Sequence, residues 1–212
     1  MVEKKTGDYN RIVSFYENCF ATHGDCAKGM DWPNAPDLVR RYDVMLDVIK
    51  NDAKEVRLLD FGCGTAMLYE HLMKRKDSVK IIYSGLDLSP TFIKCCREKF
   101  PDLDFLQVDI LKNPEKLECY DYIVMNGVFT EKISLTFGDM LEYFKKMLRI
   151  LFTKCNKGLA FNVMSKQVEW EKDVLFHLPL DTLADFLTQE LTRNFVIRND
   201  YGLYEYTTYV YK

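Results

Sequence analysis

The chain is poor in histidine and proline, and it has no long apolar run. Three histidines in 212 residues leave few candidates for imidazole chemistry. Charge of either sign is not in excess: 29 Lys plus Arg stand against 32 Asp plus Glu, a formal net charge of −3. No broad basic field is available, so nucleic acid is not an expected partner. No apolar stretch approaches the roughly 18 residues of a membrane-spanning helix. The start, Met1-Val-Glu-Lys-Lys-Thr-Gly-Asp, lacks the apolar segment of an export signal. The seven cysteines form neither a C-x-x-C pair nor a Cys/His ligand spacing, which points to free thiols in a reducing cytoplasm and to no metal centre. Repeats, low-complexity tracts and linkers are also missing. At 48% hydrophobic residues, the whole of 1–212 reads as one domain with a substantial core.

What is present begins with Asp60-Phe-Gly-Cys-Gly-Thr-Ala. An apolar strand (Val56, Leu58, Leu59) runs into an acid, a tight glycine turn and a helix that starts near Ala66. Glycine at Gly62 and Gly64 permits a sharp turn and lets a ligand reach bare backbone amides, with Cys63 between them. A second strand ends in Asp87-Leu88, 27 residues after Asp60. In a doubly wound sheet, an acid at the tip of the second strand is placed to grip the two hydroxyls of an adenosine ribose. Asp87 could instead cap the next helix, but Ser89 followed by Pro90 at the first helical position is the more natural start. Two further strand ends, Asp109-Ile110 and Asn126-Gly127, continue the series.

Strands at Val56, Val79–Leu86, Leu103–Val108, Tyr122–Met125 and Gly158–Met164 alternate with helices at Ala66–Lys74, Thr91–Phe100 and Thr136–Phe152. That alternation predicts a parallel sheet covered on both faces. The end differs. Phe195–Asp200 and Leu203–Tyr211 are joined by Tyr201-Gly202, too short a link for a parallel crossover, so they form an antiparallel hairpin. Before Val56, two amphipathic helices (Tyr9–Cys19 and Asn34 or Asp37–Ile49) flank a loop carrying Trp32 and make a helical cap, residues 1–55, on an α/β core, residues 56–212. Ser165–Leu180 reads as an irregular flap ahead of a helix at Asp181–Leu191.

With these residues in place, the chain resembles the class I S-adenosylmethionine-dependent methyltransferases. The resemblance rests on Asp60-x-Gly62-x-Gly64, Asp87, Asp109-Ile110, Asn126-Gly127 and the final hairpin, over Val56 to Lys212. It implies an α/β, doubly wound, seven-stranded and mostly parallel sheet with an antiparallel C-terminal hairpin. The implied cofactor is S-adenosyl-L-methionine, with S-adenosyl-L-homocysteine as product. It also implies Asp109 beside the adenine amino group and Ile110 against the adenine face. Trp32-Pro, Arg40-Arg41-Tyr and Asp200-Tyr-x-Leu-Tyr-Glu-Tyr-Thr resemble trans-aconitate-type or polysaccharide-associated enzymes, which act on small molecules. The family's frequent third glycine is Ala66 here. Asn126-Gly-Val-Phe departs from the Asn-Pro-Pro-Tyr element of enzymes that methylate exocyclic or amide nitrogens. A nicotinamide site is the direct competitor for the glycine turn. It would place glycine or alanine at position 67, where this chain has Met67, and it would lack the hairpin.

Other candidates read two ways. Arg41 is a surface arginine or a guanidinium for the cofactor carboxylate. Trp32 is a packed cap residue or a wall of the cofactor pocket, and His177, in the flap, is a packing residue or a general base. The acceptor pocket is expected from the cap, the Gly127–Lys132 loop and the flap. Together these predict methyl transfer to an oxygen of a small polar metabolite or of a polysaccharide or natural-product precursor. The alternatives are methylation of protein or RNA, and a non-catalytic cofactor-binding module.

Overall fold

The computed structural model describes residues 9–50, 54–75 and 79–212. The expected polar start (1–8) and the last part of the expected cap (51–53) lie outside them. The elements, in chain order, are α1 (Asn10–His23), α2 (Ala35–Leu46), β1 (Glu55–Phe61), α3 (Met67–Leu72), β2 (Lys80–Asp87), α4 (Pro90–Lys99), β3 (Asp104–Gln107) and β4 (Tyr120–Met125). They continue with α5 (Phe137–Lys154), β5 (Cys155–Ser165), β6 (His177–Leu178), α6 (Leu180–Phe186), β7 (Phe195–Arg198) and β8 (Glu205–Tyr211).

The strands form one sheet in the order β3-β2-β1-β4-β5-β8-β7. The first five are parallel, and β8 enters antiparallel between β5 and β7. The expected fold class therefore holds, with one addition. The flap is not wholly irregular, because the two-residue β6 pairs parallel to Met164 and Ser165 of β5.

Alternate residues of the central strands serve opposite faces. Leu59, Ile123, Met125, Leu159 and Phe161 join Met140, Phe144 and Leu148 of α5 in one apolar cluster. Leu58, Tyr122, Val124 and Ala160 join α2, α3 and α4 in the other. Burial on both faces explains why these strands read as continuous apolar runs. Ser89 caps α4 by accepting the Phe92 N–H at 3.2 Å, and Thr136 caps α5 by accepting that of Asp139 at 3.1 Å.

The two N-terminal helices do different work. Ile12 of α1 is buried in the α5-side cluster, while Leu38, Tyr42, Met45 and Leu46 of α2 are buried on the opposite face. Tyrosine hydroxyls of β8 fasten the end of α2 to the sheet, Tyr209 to the Val44 carbonyl and Tyr211 to the Val48 carbonyl at 3.3 Å. Among the described residues, no helix is long and apolar enough to cross a membrane.

Candidate active site

The order of the sheet reverses between β1 and β4, and ligands of such sheets bind at the carboxyl ends of the strands beside that point. There, Asp60 is 3% exposed and accepts the Tyr83 hydroxyl at 2.8 Å. In the turn after β1, the N–H groups of Gly62 and Cys63 both donate to the Leu86 carbonyl, at 2.7 and 3.0 Å. Gly64 has φ +53° and its N–H donates to Asp87 Oδ2 at 3.0 Å, while the Ser89 N–H donates to Asp87 Oδ1 at 2.9 Å. Asp87 thus ties the first turn to the second. Ala66, where the family often has glycine, also has a left-handed backbone, φ +63°. An L-residue there costs on the order of 1–2 kcal/mol.

Burial pushes the Asp60 carboxyl up to about 7; the Tyr83 hydroxyl opposes the rise and the charge of Asp87 adds to it. Burial likewise raises Asp87 to about 6, against the N–H groups of Ser89, Gly64 and Leu88. Two buried acids held this close favour a ligand that carries hydroxyl donors or positive charge.

A cleft opens over these strand ends, with about 980 Å³ of empty space counted to its solvent mouth. Asp60, Gly62, Cys63, Gly64, Asp87, Leu88, Asn126, Gly127 and Trp32 all line it. Asn126 Oδ1 and Thr65 Oγ1, both on its wall, are buried without a hydrogen-bond partner among the described residues. Buried polar atoms are seldom left so, and these two fit a ligand that brings polar groups of its own.

Four expected residues lie elsewhere. Asp109 does not line the cleft. Its carboxylate accepts the Tyr9 hydroxyl at 2.7 Å and the Leu111 N–H at 3.1 Å, and pairs with Lys112 at 2.9 Å. Partial burial would raise this carboxyl, but those partners hold it below its ordinary value. Ile110 is 1% exposed and packs in the α5-side cluster. Arg41 donates from Nε to Glu205 Oε2 at 2.8 Å and lies over the Trp32 ring, away from the cleft surface. His177 has both ring nitrogens taken, because Nδ1 donates to the Ser165 carbonyl at 2.6 Å and Nε2 accepts the Lys172 N–H at 3.3 Å. With the ring 5% exposed and no free nitrogen, it pins the flap to β5 and cannot act as a base in this arrangement.

The cleft also takes residues that the sequence reading did not single out for it: Tyr9, Ile12, Tyr16, Met30, Tyr42 and Tyr143. Tyr9 and Tyr143 stack at 5.4 Å. The available signal was one tyrosine on each of α1, α2 and α5 (Tyr16, Tyr42 and Tyr143), where leucine would serve packing alone.

The chain matches the methyltransferase domain family over residues 52–197, well over half its length. It belongs to that family. It is 25% identical to the mycobacterial protein Rv1506c of Mycobacterium tuberculosis, which carries a methyltransferase name, over 77% of this chain and 98% of that one. It is 30% identical to a malonyl-[acyl-carrier protein] O-methyltransferase of Acetivibrio thermocellus, over 57% of this chain but 40% of that protein. Among solved structures, magnesium protoporphyrin IX methyltransferase from Synechocystis with bound SAM has the same fold. It has a TM-score of 0.64 and 14% identity, over 97% of both chains. The class I resemblance read from the glycine turn and the hairpin, and the Rossmann-like methyltransferase fold that it implied, both stand.

Proposed function

We propose that this methyltransferase transfers the methyl group of S-adenosylmethionine to a hydroxyl oxygen of a small, polar acceptor that carries no negative charge. The observation that carries the reading is the lining of the cleft. It combines the acids and amides of the strand ends with the rings of Tyr9, Tyr16, Trp32, Tyr42 and Tyr143, and among the described residues no Lys, Arg or His lines it. An anionic acceptor would call for a cation there, most effectively a bidentate arginine.

In this reading Asp87 accepts the ribose hydroxyls. The turn Gly62–Gly64 offers its backbone, and Asn126 Oδ1 and Thr65 Oγ1 gain partners from the polar groups of the cofactor. The buried charge of Asp60 and Asp87 favours the cationic donor. When bound, the donor brings a methyl group already activated on sulfur, so the protein's main task is to hold the acceptor in line with it. A hydroxyl acceptor must also lose a proton. Glu131 is the side chain assigned to take it: it does not line the cleft in the free protein, but it follows the cleft-lining turn at Gly127, pairs through its backbone with Leu175 of the flap, and its charge acts on Tyr16 of the cleft wall. Burial, reinforced by Asp31 and opposed by Lys172, raises its carboxyl to about 7, a useful value for a base at neutral pH.

The test is calorimetry with S-adenosylhomocysteine, followed by an acceptor panel scored for S-adenosylhomocysteine release. Binding in the micromolar range, on the order of −8 kcal/mol, with no heat from NAD, supports the donor site. The panel sets hydroxylated metabolites and sugars against carboxylates, including an acyl-carrier-protein-linked malonyl group of the kind named for the Acetivibrio relative. Turnover confined to the carboxylates would sink the acceptor reading and leave the donor reading intact.

A further inference from the structure

A buried polar chain joins α2 to β8 and β5 and returns to the cleft. Arg41 donates from Nε to Glu205 Oε2 at 2.8 Å, and Glu205, at the start of β8, is 1% exposed. The other oxygen, Oε1, accepts from Asn162 Nδ2 at 2.9 Å. Asn162, fully buried on β5, accepts the backbone N–H of Gly127 on its Oδ1 at 2.8 Å. The guanidinium of Arg41 lies 4.6 Å from the centre of the Trp32 ring. That ring packs on Gly127, where a Cβ would come within 2.7 Å of it and where φ is +79°. The contacts therefore close a loop: Gly127, Asn162, Glu205, Arg41, Trp32 and Gly127 again.

Each link constrains the next. A planar guanidinium can hold a carboxylate at its edge while its face covers an indole, which an ammonium cannot do. A carboxylate buried as deeply as Glu205 must keep its charged partner and its hydrogen bonds, because removing either leaves an uncompensated group in a low-dielectric interior. Gly127 and Trp32 both line the cleft, one from the strand ends and one from the cap. Glu205 and Asn162 do not line it, so whatever they do for the site they do through the two residues that do.

We propose that Arg41, Glu205 and Asn162 are positioning residues for methyl transfer, fixing Trp32 against the Gly127 turn and so setting the gap between the cap and the strand ends. The proposal rests on the reading of the cleft as the donor site. It gives Arg41 an indirect role in place of direct contact with the cofactor carboxylate.

The chain's two tryptophans make the test direct. Trp170, 71% exposed in the flap, is replaced by Phe so that Trp32 is the sole reporter. In that background, Arg41→Lys keeps a charge for Glu205 but loses the planar stack, and Glu205→Gln removes the buried charge. Each is expected to shift Trp32 emission to longer wavelength and to weaken S-adenosylhomocysteine by roughly 5- to 10-fold, with the double variant no weaker than the weaker single one. Adenosine should weaken by the same factor, since the effect comes from the shape of the cleft. Unchanged emission and affinity in both variants would overturn the relay, as would losses that multiply in the double variant. A loss confined to Arg41→Lys and to S-adenosylhomocysteine over adenosine would also overturn it, assigning Arg41 a direct carboxylate contact. If Glu205→Gln does not fold, Asn162→Ser interrupts the same chain one link on, with the same expected and overturning results. If the parent protein binds no S-adenosylhomocysteine, the donor-site reading fails, and Trp32 emission in the same variants still decides the relay.

Discussion

The strand-end wall of the cleft presents carboxylates and backbone amides, whereas the wall contributed by α1, α2 and the loop between them presents mostly rings. The first is set by sheet pairing. Gly62, Cys63 and Gly64 are placed by hydrogen bonds from their backbone N–H groups to Leu86 and Asp87 on the neighbouring strand. The second is set by side chains. Tyr9 stacks on Tyr143, Trp32 lies under Arg41, and Met30 presses on Gly64, where a Cβ would meet its methyl at 2.5 Å. A wall made of backbone keeps its form while side chains change. A wall made of rings changes shape with each substitution, and the proposed function accordingly gives donor binding to the first and acceptor choice to the second.

The comparison can be broken at defined points. The largest expected effect is on turnover. Glu131→Gln, in the loop between β4 and α5, should lower kcat by about 10²- to 10⁴-fold, the usual worth of a positioned base. Its S-adenosylhomocysteine affinity, measured by calorimetry, should be unchanged, because the donor wall is untouched. A variant with full activity and an unaltered pH–rate profile would remove Glu131 from the reaction.

Next comes the donor wall itself. Asp87→Ala deletes charge-assisted hydrogen bonds worth about 1.5–3 kcal/mol, a weakening of S-adenosylhomocysteine by roughly 10- to 150-fold. Normal affinity in that variant would make Asp87 a link between the two turns and nothing more.

Gly127→Ala strikes the seam between the walls. A methyl group at φ +79° costs about 1–2 kcal/mol in backbone strain, and it meets the Trp32 ring. Urea denaturation should record that loss, accompanied by a change in Trp32 emission. Loss of stability with unchanged emission would mean that the turn and the ring are not coupled.

Acidity separates the walls without any mutation. Asp60 and Asp87, near 7 and 6, lie above the unfolded carboxylate value, so ionising them opposes folding. Their contribution to stability is fully present at acid pH, below the unfolded value, and is lost as pH rises through about 6 to 7. In the proposed reading, the cationic donor favours their ionised forms. Its affinity should therefore fall between about pH 7 and 6, up to tenfold per unit for each group, even as these two groups stabilise the free protein. Titrations at several pH values check the sign, and a donor affinity flat across that range would contradict it.

The smallest effect is expected from Tyr9→Phe. It removes the hydroxyl bond to Asp109, about 0.5–1.5 kcal/mol at most, and keeps the ring on Tyr143. Thermal unfolding should shift slightly and donor affinity hardly at all. A large loss of affinity would show that the cap wall depends on its hydroxyls as well as its rings.

Most of the strand-end wall was legible in the sequence because its signals are local. Asp60 to Gly64 and Asp87 to Pro90 are short runs in which an acid, a turn and a helix start follow a strand, and such runs carry their geometry with them. Asp109, Ile110, Arg41 and His177 were placed by analogy or by residue type, and their surroundings were not local. Tyr9 reaches Asp109 across 100 residues, and Glu205 reaches Arg41 across 164. No spacing rule could supply either partner.

By itself, then, the sequence determined the alternation of strands and helices, the antiparallel end and the acid–glycine turn, since hydrophobic period, link length and backbone preference act over a few residues. Only the tertiary structure decided which side chains face the cleft. It split the expected cap between the two faces of the sheet, closed both nitrogens of His177 and gave Arg41 to Glu205. Those outcomes depend on which distant groups burial brings together and on the need of each buried charge or donor for a partner, a condition that is met only when the whole chain is packed.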